Sequence, residues 1–143
     1  VAGVTGDFGK LTALIRQLEQ VPALKRDVLR VIAEDARTRV DEGFAASRSP
    51  EGAAWRPLAR ARRRGAGRPL LDTGRLRASI TYQVTANGFL LKTTLVYAAT
   101  HQYGWESIPA RPYFPEGDVP PAWVAAWRDL TEEVIALHFK GAF

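Results

Sequence analysis

Apolar residues return along this chain in three helical stretches and one alternating stretch, with segments of neither period between them. After Asp7, the residues Leu11, Leu14, Ile15 and Leu18 recur at intervals of three and four, which puts them on one side of a short helix. Pro22 lacks the N–H that a helix arriving from upstream would need, yet it suits the first turn of a new one, so the helix breaks there. From Ala23 the spacing Leu24, Val28, Ile32, Ala36, Val40, Phe44 runs in steps of four, widened by Leu29 and Val31, with charged residues opposite. This predicts an amphipathic helix of about twenty residues, stabilised chiefly by burying its stripe, with Gly43 as its stop signal. A last helix is expected after Asp118 as cap, with Pro120 and Pro121 in its first turn and a seam of Trp123, Trp127, Leu130, Val134 and Leu137.

The alternating stretch covers residues 79–86 and 89–95, joined by Asn87-Gly88, a strong signal for a type I′ hairpin turn, whose two central residues need positive φ. A turn centred there sets Ala86 opposite Phe89, Val84 opposite Leu91, Tyr82 opposite Thr93 and Ile80 opposite Leu95, and this is the face expected to be buried. A two-stranded ribbon is marginal alone, so helices must cover it or further strands must extend it. Residues 96–104 read as a helical turn or two closing at Gly104, and Pro109, Pro112 and Pro115 make the following segment stiff and extended. Residues 45–70 hold no sustained period, only Ser, Pro, Gly, Arg and a lone Trp55, and a loop of that length needs a reason. The fold class is therefore α+β: N-terminal amphipathic helices and a C-terminal helix on a small antiparallel sheet, in one domain over residues 1–143 with a long basic loop over 45–70.

Charge sharpens the picture of that loop. The net charge is +5, from 20 Lys and Arg against 15 Asp and Glu, but Arg56, Arg60, Arg62, Arg63, Arg64 and Arg68 all lie between Glu51 and Asp72 with no acid among them. The rest of the chain is nearly neutral, which argues against a uniformly basic nucleic-acid binder and for a neutral body with one basic arm. Such an arm meets phosphate, meets acidic side chains of a partner protein, or is simply a solvated loop. With no Cys, disulfides and thiolate chemistry are excluded, and a reducing compartment is allowed. No apolar run approaches the roughly 20 residues of a membrane helix, and the first residues carry no signal-peptide pattern, so neither membrane insertion nor export is expected. His101 and His138 have no metal-ligand spacing, no nucleophile elbow or framed carboxylate pair is present, and no phosphate-binding glycine loop follows a strand. Catalysis, metal and cofactor therefore find no footing. Trp123 and Trp127 obey helical spacing with aliphatic partners and read as core or interface, not as a platform for bases.

Three motifs occur in a fixed order: Trp55-Arg56-Pro57-Leu58 after Pro50-Glu51-Gly52; then Leu71-Asp72-Thr73-Gly74-Arg75-Leu76-Arg77-Ala78-Ser79-Ile80; then Tyr97-Ala98-Ala99-Thr100-His101-Gln102-Tyr103-Gly104 leading to Ile108-Pro109-Ala110-Arg111-Pro112-Tyr113-Phe114. Together, over residues 43–114, they resemble the phage virion morphogenesis family, which includes Mu-like morphogenesis and tail completion proteins. The resemblance implies a small α+β structural protein of a tailed phage or prophage, without enzymatic activity, assembled in the bacterial host cytoplasm and placed at the head–tail junction or the top of the tail. On that footing we expect a homo-oligomeric ring, sixfold if it follows the tail and twelvefold if it follows the portal, touching other neck and tail proteins and no membrane. A DNA-binding module gripping phosphates with the basic arm is the rival reading. Subunit or partner contacts are expected at Trp55, Arg60, Arg62, Arg63, Arg64, Arg68, Arg75, Arg77, His101, Arg111, Trp123 and Trp127. In the second motif, Asp72-Thr73-Gly74 would cap a short helix or turn, so that Arg75 and Arg77 project while Leu76 and Ile80 enter the core. Tyr97, His101 and Tyr103 would pack between the hairpin and the proline arm.

Overall fold

A long helix at the centre organises everything else. In the computed structural model, which describes residues 2–4, 11, 15, 16, 18–57 and 74–140, helix α1 runs Pro22–Ala46 with its proline in the first turn. Its stripe Leu24, Val28, Ile32, Ala36, Val40 and Phe44 is buried as the four-residue spacing requires, together with Leu29 and Ala33. One flank of α1 meets a sheet, and another meets the C-terminal helix α4, Pro121–Phe139. Where the upstream region is described, Leu11, Ile15 and Leu18 are also buried, and a short 3-10 helix, Leu18–Gln20, leads into α1. Leu14 lies outside the described residues.

The sheet has three antiparallel strands in the order β1-β3-β2, with β1 Ala2–Val4, β2 Thr81–Val84 and β3 Phe89–Thr93. Strand β1 supplies the extension that a lone ribbon calls for, and it pairs Ala2 with Thr93 and Val4 with Leu91. The hairpin differs from expectation. Val84 faces Phe89 and Tyr82 faces Leu91, and the Thr85 N–H donates to Gly88 O at 2.8 Å, so Ala86 and Asn87 take the turn. Neither Asn87 nor Gly88 has positive φ, so the type I′ turn is not formed. The cause is tertiary: the Asn87 side-chain oxygen accepts from Lys25 Nζ at 3.0 Å and is tied to α1. Moving the turn by one residue moves each cross-strand partner by two. Side-chain faces have period two, so the predicted inner face survives, with Ile80, Phe89 and Leu91 buried and Tyr82 and Val84 packed against the core.

Helix ends differ too. Helix α1 runs past Gly43 to Ala46, and Ser47 takes the left-handed conformation at φ 55°. Its amide and that of Arg48 return to Phe44 O and Gly43 O and close the terminus. Gly43 serves this crossing differently, since a Cβ there would stand 3.1 Å from Arg48 O. Asp118 does not cap α4; Pro120 occupies the cap position and no side chain bonds to the terminus. The seam itself is present, with Trp123, Trp127 and Val134 buried and Leu130 packed at its margin.

Candidate assembly interface

Of the loop expected over 45–70, residues 45 and 46 belong to the last turn of α1. Residues 47–57 form a tight return in which Arg48 and Ala54 make an antiparallel bridge, Ala53 N–H reaches Ser49 Oγ at 3.1 Å and Trp55 N–H reaches Ser47 O at 2.8 Å. Gly52, at φ 93°, makes the reversal. This return delivers Trp55 edge-on to Phe44, with ring centroids 5.4 Å apart, and its Nε1 donates to Pro112 O at 2.8 Å. Trp55 is thus a brace between the end of α1 and the proline arm.

Arg111 completes the brace. Its side chain is 5 % exposed, Nε donates to Arg56 O at 2.8 Å and Nη2 to Pro57 O at 3.3 Å. Burial, then the nearby Arg56 charge, pushes its pKa below the usual arginine value, although a guanidinium keeps its proton at any physiological pH. Two carbonyls satisfy the buried donors, so two motifs distant in sequence meet at one side chain. The expected contact residues Trp55 and Arg111 therefore act first inside the subunit.

The arm is clamped a second time by a residue that sequence reasoning overlooked. Gln102, on helix α3 (Ala98–Tyr103), accepts from the N–H groups of Tyr113 and Phe114 at 3.0 Å each and donates to Phe114 O at 2.9 Å. An extended segment buried away from any sheet needs such partners for its backbone. A lone Gln on the inner side of a short helix before a proline-rich segment was the available signal. Tyr113 stacks on Phe44 at 5.5 Å and donates to Ala98 O at 2.8 Å, and burial drives its phenol pKa far upward. His101 packs edge-on against Tyr97 at 5.6 Å, and its Nδ1 is buried without a partner. Burial, and next the Arg111 charge, lowers its pKa and favours the neutral ring. Tyr103, expected to pack beside these two, is instead 69 % exposed.

Gly74, left-handed at φ 63°, starts the short helix α2, Arg75–Ser79. Leu76 and Ile80 enter the core as expected. Arg77 reaches back to α1 in a two-bond pair with Asp41, Nη2 to Oδ2 at 2.8 Å, and this hydrogen bond holds the Asp41 carboxyl below its usual pKa. Arg37 Nε adds a bond to Ile80 O at 3.0 Å. Arg75 is exposed. Arg60, Arg62, Arg63, Arg64 and Arg68 lie outside the described residues, as do Asp72 and Thr73, and Arg56 at the base of the segment is exposed. Trp127 is fully buried, edge-on to Phe89, with Nε1 donating to Asp35 Oδ2 at 2.9 Å, and Trp123 lies 6.0 Å from it. Among the described residues, no group of three or more His, Cys, Asp or Glu could hold a metal ion, and no helix is long and apolar enough to cross a membrane.

Comparison with known proteins matches residues 7–121 to the phage virion morphogenesis family. A curated relative, the Mu-like prophage FluMu G protein 2 of Haemophilus influenzae, is 33 % identical over 111 residues, covering 73 % of this chain and 75 % of that protein. No solved structure matches.

Proposed function

The chain belongs to the phage virion morphogenesis family, which gives it a structural role in phage assembly, and from that premise we propose that it is a non-catalytic ring component at the head–tail junction. In this reading it sits at the neck or tail top, with the symmetry of the tail or of the portal, and is required for joining heads to tails. The observation that carries the proposal is the braced base of the basic segment. Arg111 fixes the backbone at Arg56 and Pro57, and Arg77 ties the downstream end to Asp41. Between Pro57 and Asp72 the chain carries five further arginines and no acid. A cationic segment leaving a rigid base suits contact with an acidic surface of an adjoining ring, where charge complementarity sets register and partner choice.

Replacing Arg60, Arg62, Arg63, Arg64 and Arg68 with Ser tests this. Circular dichroism and melting temperature should stay unchanged, while lysates should accumulate filled heads and separate tails. Loss of co-purification with neck or tail proteins supports an acidic protein partner. Retained joining with altered DNA retention would instead favour the phosphate-gripping reading. Normal particle yield and infectivity would remove the segment from the assembly mechanism.

A further inference from the structure

Among the described residues, exposed large apolar side chains include Val21, Val96 and Phe139, and three more fall close together in the chain at the end of α3 and just beyond it, where Tyr103 is 69 %, Trp105 65 % and Ile108 40 % exposed. Trp105 and Ile108 stand on a miniature hairpin. Trp105 N–H donates to Ile108 O at 3.0 Å and Ile108 N–H returns to Trp105 O at 2.8 Å, leaving Glu106 and Ser107 at the tip. Residues paired by two reciprocal bonds project to the same side of a ribbon, so Trp105 and Ile108 form one apolar surface. Glu106 holds a left-handed conformation at φ 48°, uncommon for a residue with a long side chain. The base is rigid: Gly104, at φ 79°, passes so close to the returning strand that a Cβ would stand 3.0 Å from Ala110 N. Gln102 clamps the arm immediately below. A Trp held out on a stiff support loses little freedom on binding, which is the character of an interface anchor.

A complementary feature lies at the opposite end of α1. The first turns of that helix and the β2–β3 turn enclose an open groove of about 700 Å³, with Pro22, Leu29, Val84 and Ala86 as apolar wall and Lys25 and Arg26 as cationic rim. Glu19 also lines it, 3.9 Å from Lys25, and Arg26 is exposed with no ion pair among the described residues. The tip carries the opposite charge, Glu106. Tip and groove cannot meet within one chain, because Tyr113 roots the arm on Phe44 near the C-terminal end of α1, a helix of 25 residues and so about 37 Å long.

We infer that the Trp105–Ile108 tip of one copy docks in the α1–hairpin groove of a second copy, with Glu106 against Arg26. A contact between two different surfaces of the same chain propagates head to tail and closes as a ring when the rotation allows it. The inference therefore rests on the ring reading above and names the surfaces that would build it.

The chain has no Cys, so engineered cysteines report without background. Differently tagged Ser107→Cys and Thr85→Cys proteins, mixed and oxidised, should form a disulfide-linked heterodimer, and neither variant should cross-link alone. Trp105→Ser, with circular dichroism unchanged, should weaken self-association measured by ultracentrifugation about thirtyfold. Glu106→Lys should weaken it roughly tenfold, and Arg26→Glu in the mixed partner should restore it. Cross-linking of Ser107→Cys with itself would overturn the inference, as would unchanged self-association of Trp105→Ser accompanied by loss of another virion protein. Rings present in native mass spectra without the heterodimer would discard this contact and leave the ring reading standing. A monomer both free and within particles would discard both.

Discussion

The two flanks of α1 are held by different physics. On one flank, α1 meets α4 through apolar stripes, with Trp127 fully buried and a polar tie from its Nε1 to Asp35. Toward its C-terminal end, α1 meets the proline arm, where Gln102 fills backbone sites of Tyr113 and Phe114, Arg111 those of Arg56 and Pro57, and Tyr113 ties the arm to Ala98 O of α3. Burial is non-directional and tolerates changes of shape at similar volume, whereas a clamp on backbone groups depends on the atoms being there. The helical flank is thus built for stability, and the arm flank for holding one conformation of a segment that no sheet supports.

The strongest way to break this comparison is a pair of substitutions. Trp127→Ala removes the largest fully buried side chain and should cost about 3–5 kcal/mol, while a volume-conserving change such as Ile32→Leu should cost no more than about 1.5 kcal/mol. Gln102→Met keeps volume yet strips three bonds from the Tyr113–Phe114 backbone, and should cost about 2–4 kcal/mol. Urea unfolding reads all three; a Gln102→Met variant as tolerant as Ile32→Leu would show that the clamp is ornamental.

Two glycines give a smaller test. Gly104→Ala meets both the left-handed φ and the backbone of Ala110, and should cost about 1–3 kcal/mol. Gly88→Ala meets only Thr85 Oγ1 at 3.9 Å without positive φ, and should shift the melting temperature little.

The finest test uses acid. The lowered pKa of His101 means that the folded state binds its proton less readily than the unfolded chain. The associated stability is fully present above the unfolded histidine value, about 6.5, and is lost as pH falls through the folded value. Asp41 acts in the same direction at lower pH, where its depressed pKa makes the pair with Arg77 fail in acid. His101→Phe should flatten the decline in melting temperature just below pH 6.5, with the deeper acid limb unchanged; an unaltered profile would show that the ring titrates as in the unfolded chain.

How much of this was legible depended on which physics held the part. Periodicity located the stripes of α1 and α4 and the inner face of the hairpin, because burial imprints a period on the sequence. It misplaced the hairpin turn, since the Lys25 bond to Asn87 joins residues far apart in the chain. The candidate contact residues were recognisable as motifs, but their bonding partners were not: Arg111 reaches the carbonyls of Arg56 and Pro57, and Trp55 that of Pro112, within the subunit. Asp41 and Gln102 escaped notice because a single polar residue facing a backbone leaves no repeating trace. The Trp105 tip was also missed, for an exposed apolar pair on a four-residue turn has no period at all.

The paired anchors on either side of residues 58–73 carry a consequence for chain connectivity. Residues before the segment and residues after it are joined by β1 on β3, α1 on α4, Trp55 to Pro112, Arg111 to Arg56 and Arg77 to Asp41. Every one of these links spans the segment without using it as a tether. The fold should therefore assemble from two separately expressed polypeptides divided between residues 58 and 73, whose non-covalent association restores the same molecule with two new termini where the arm had been.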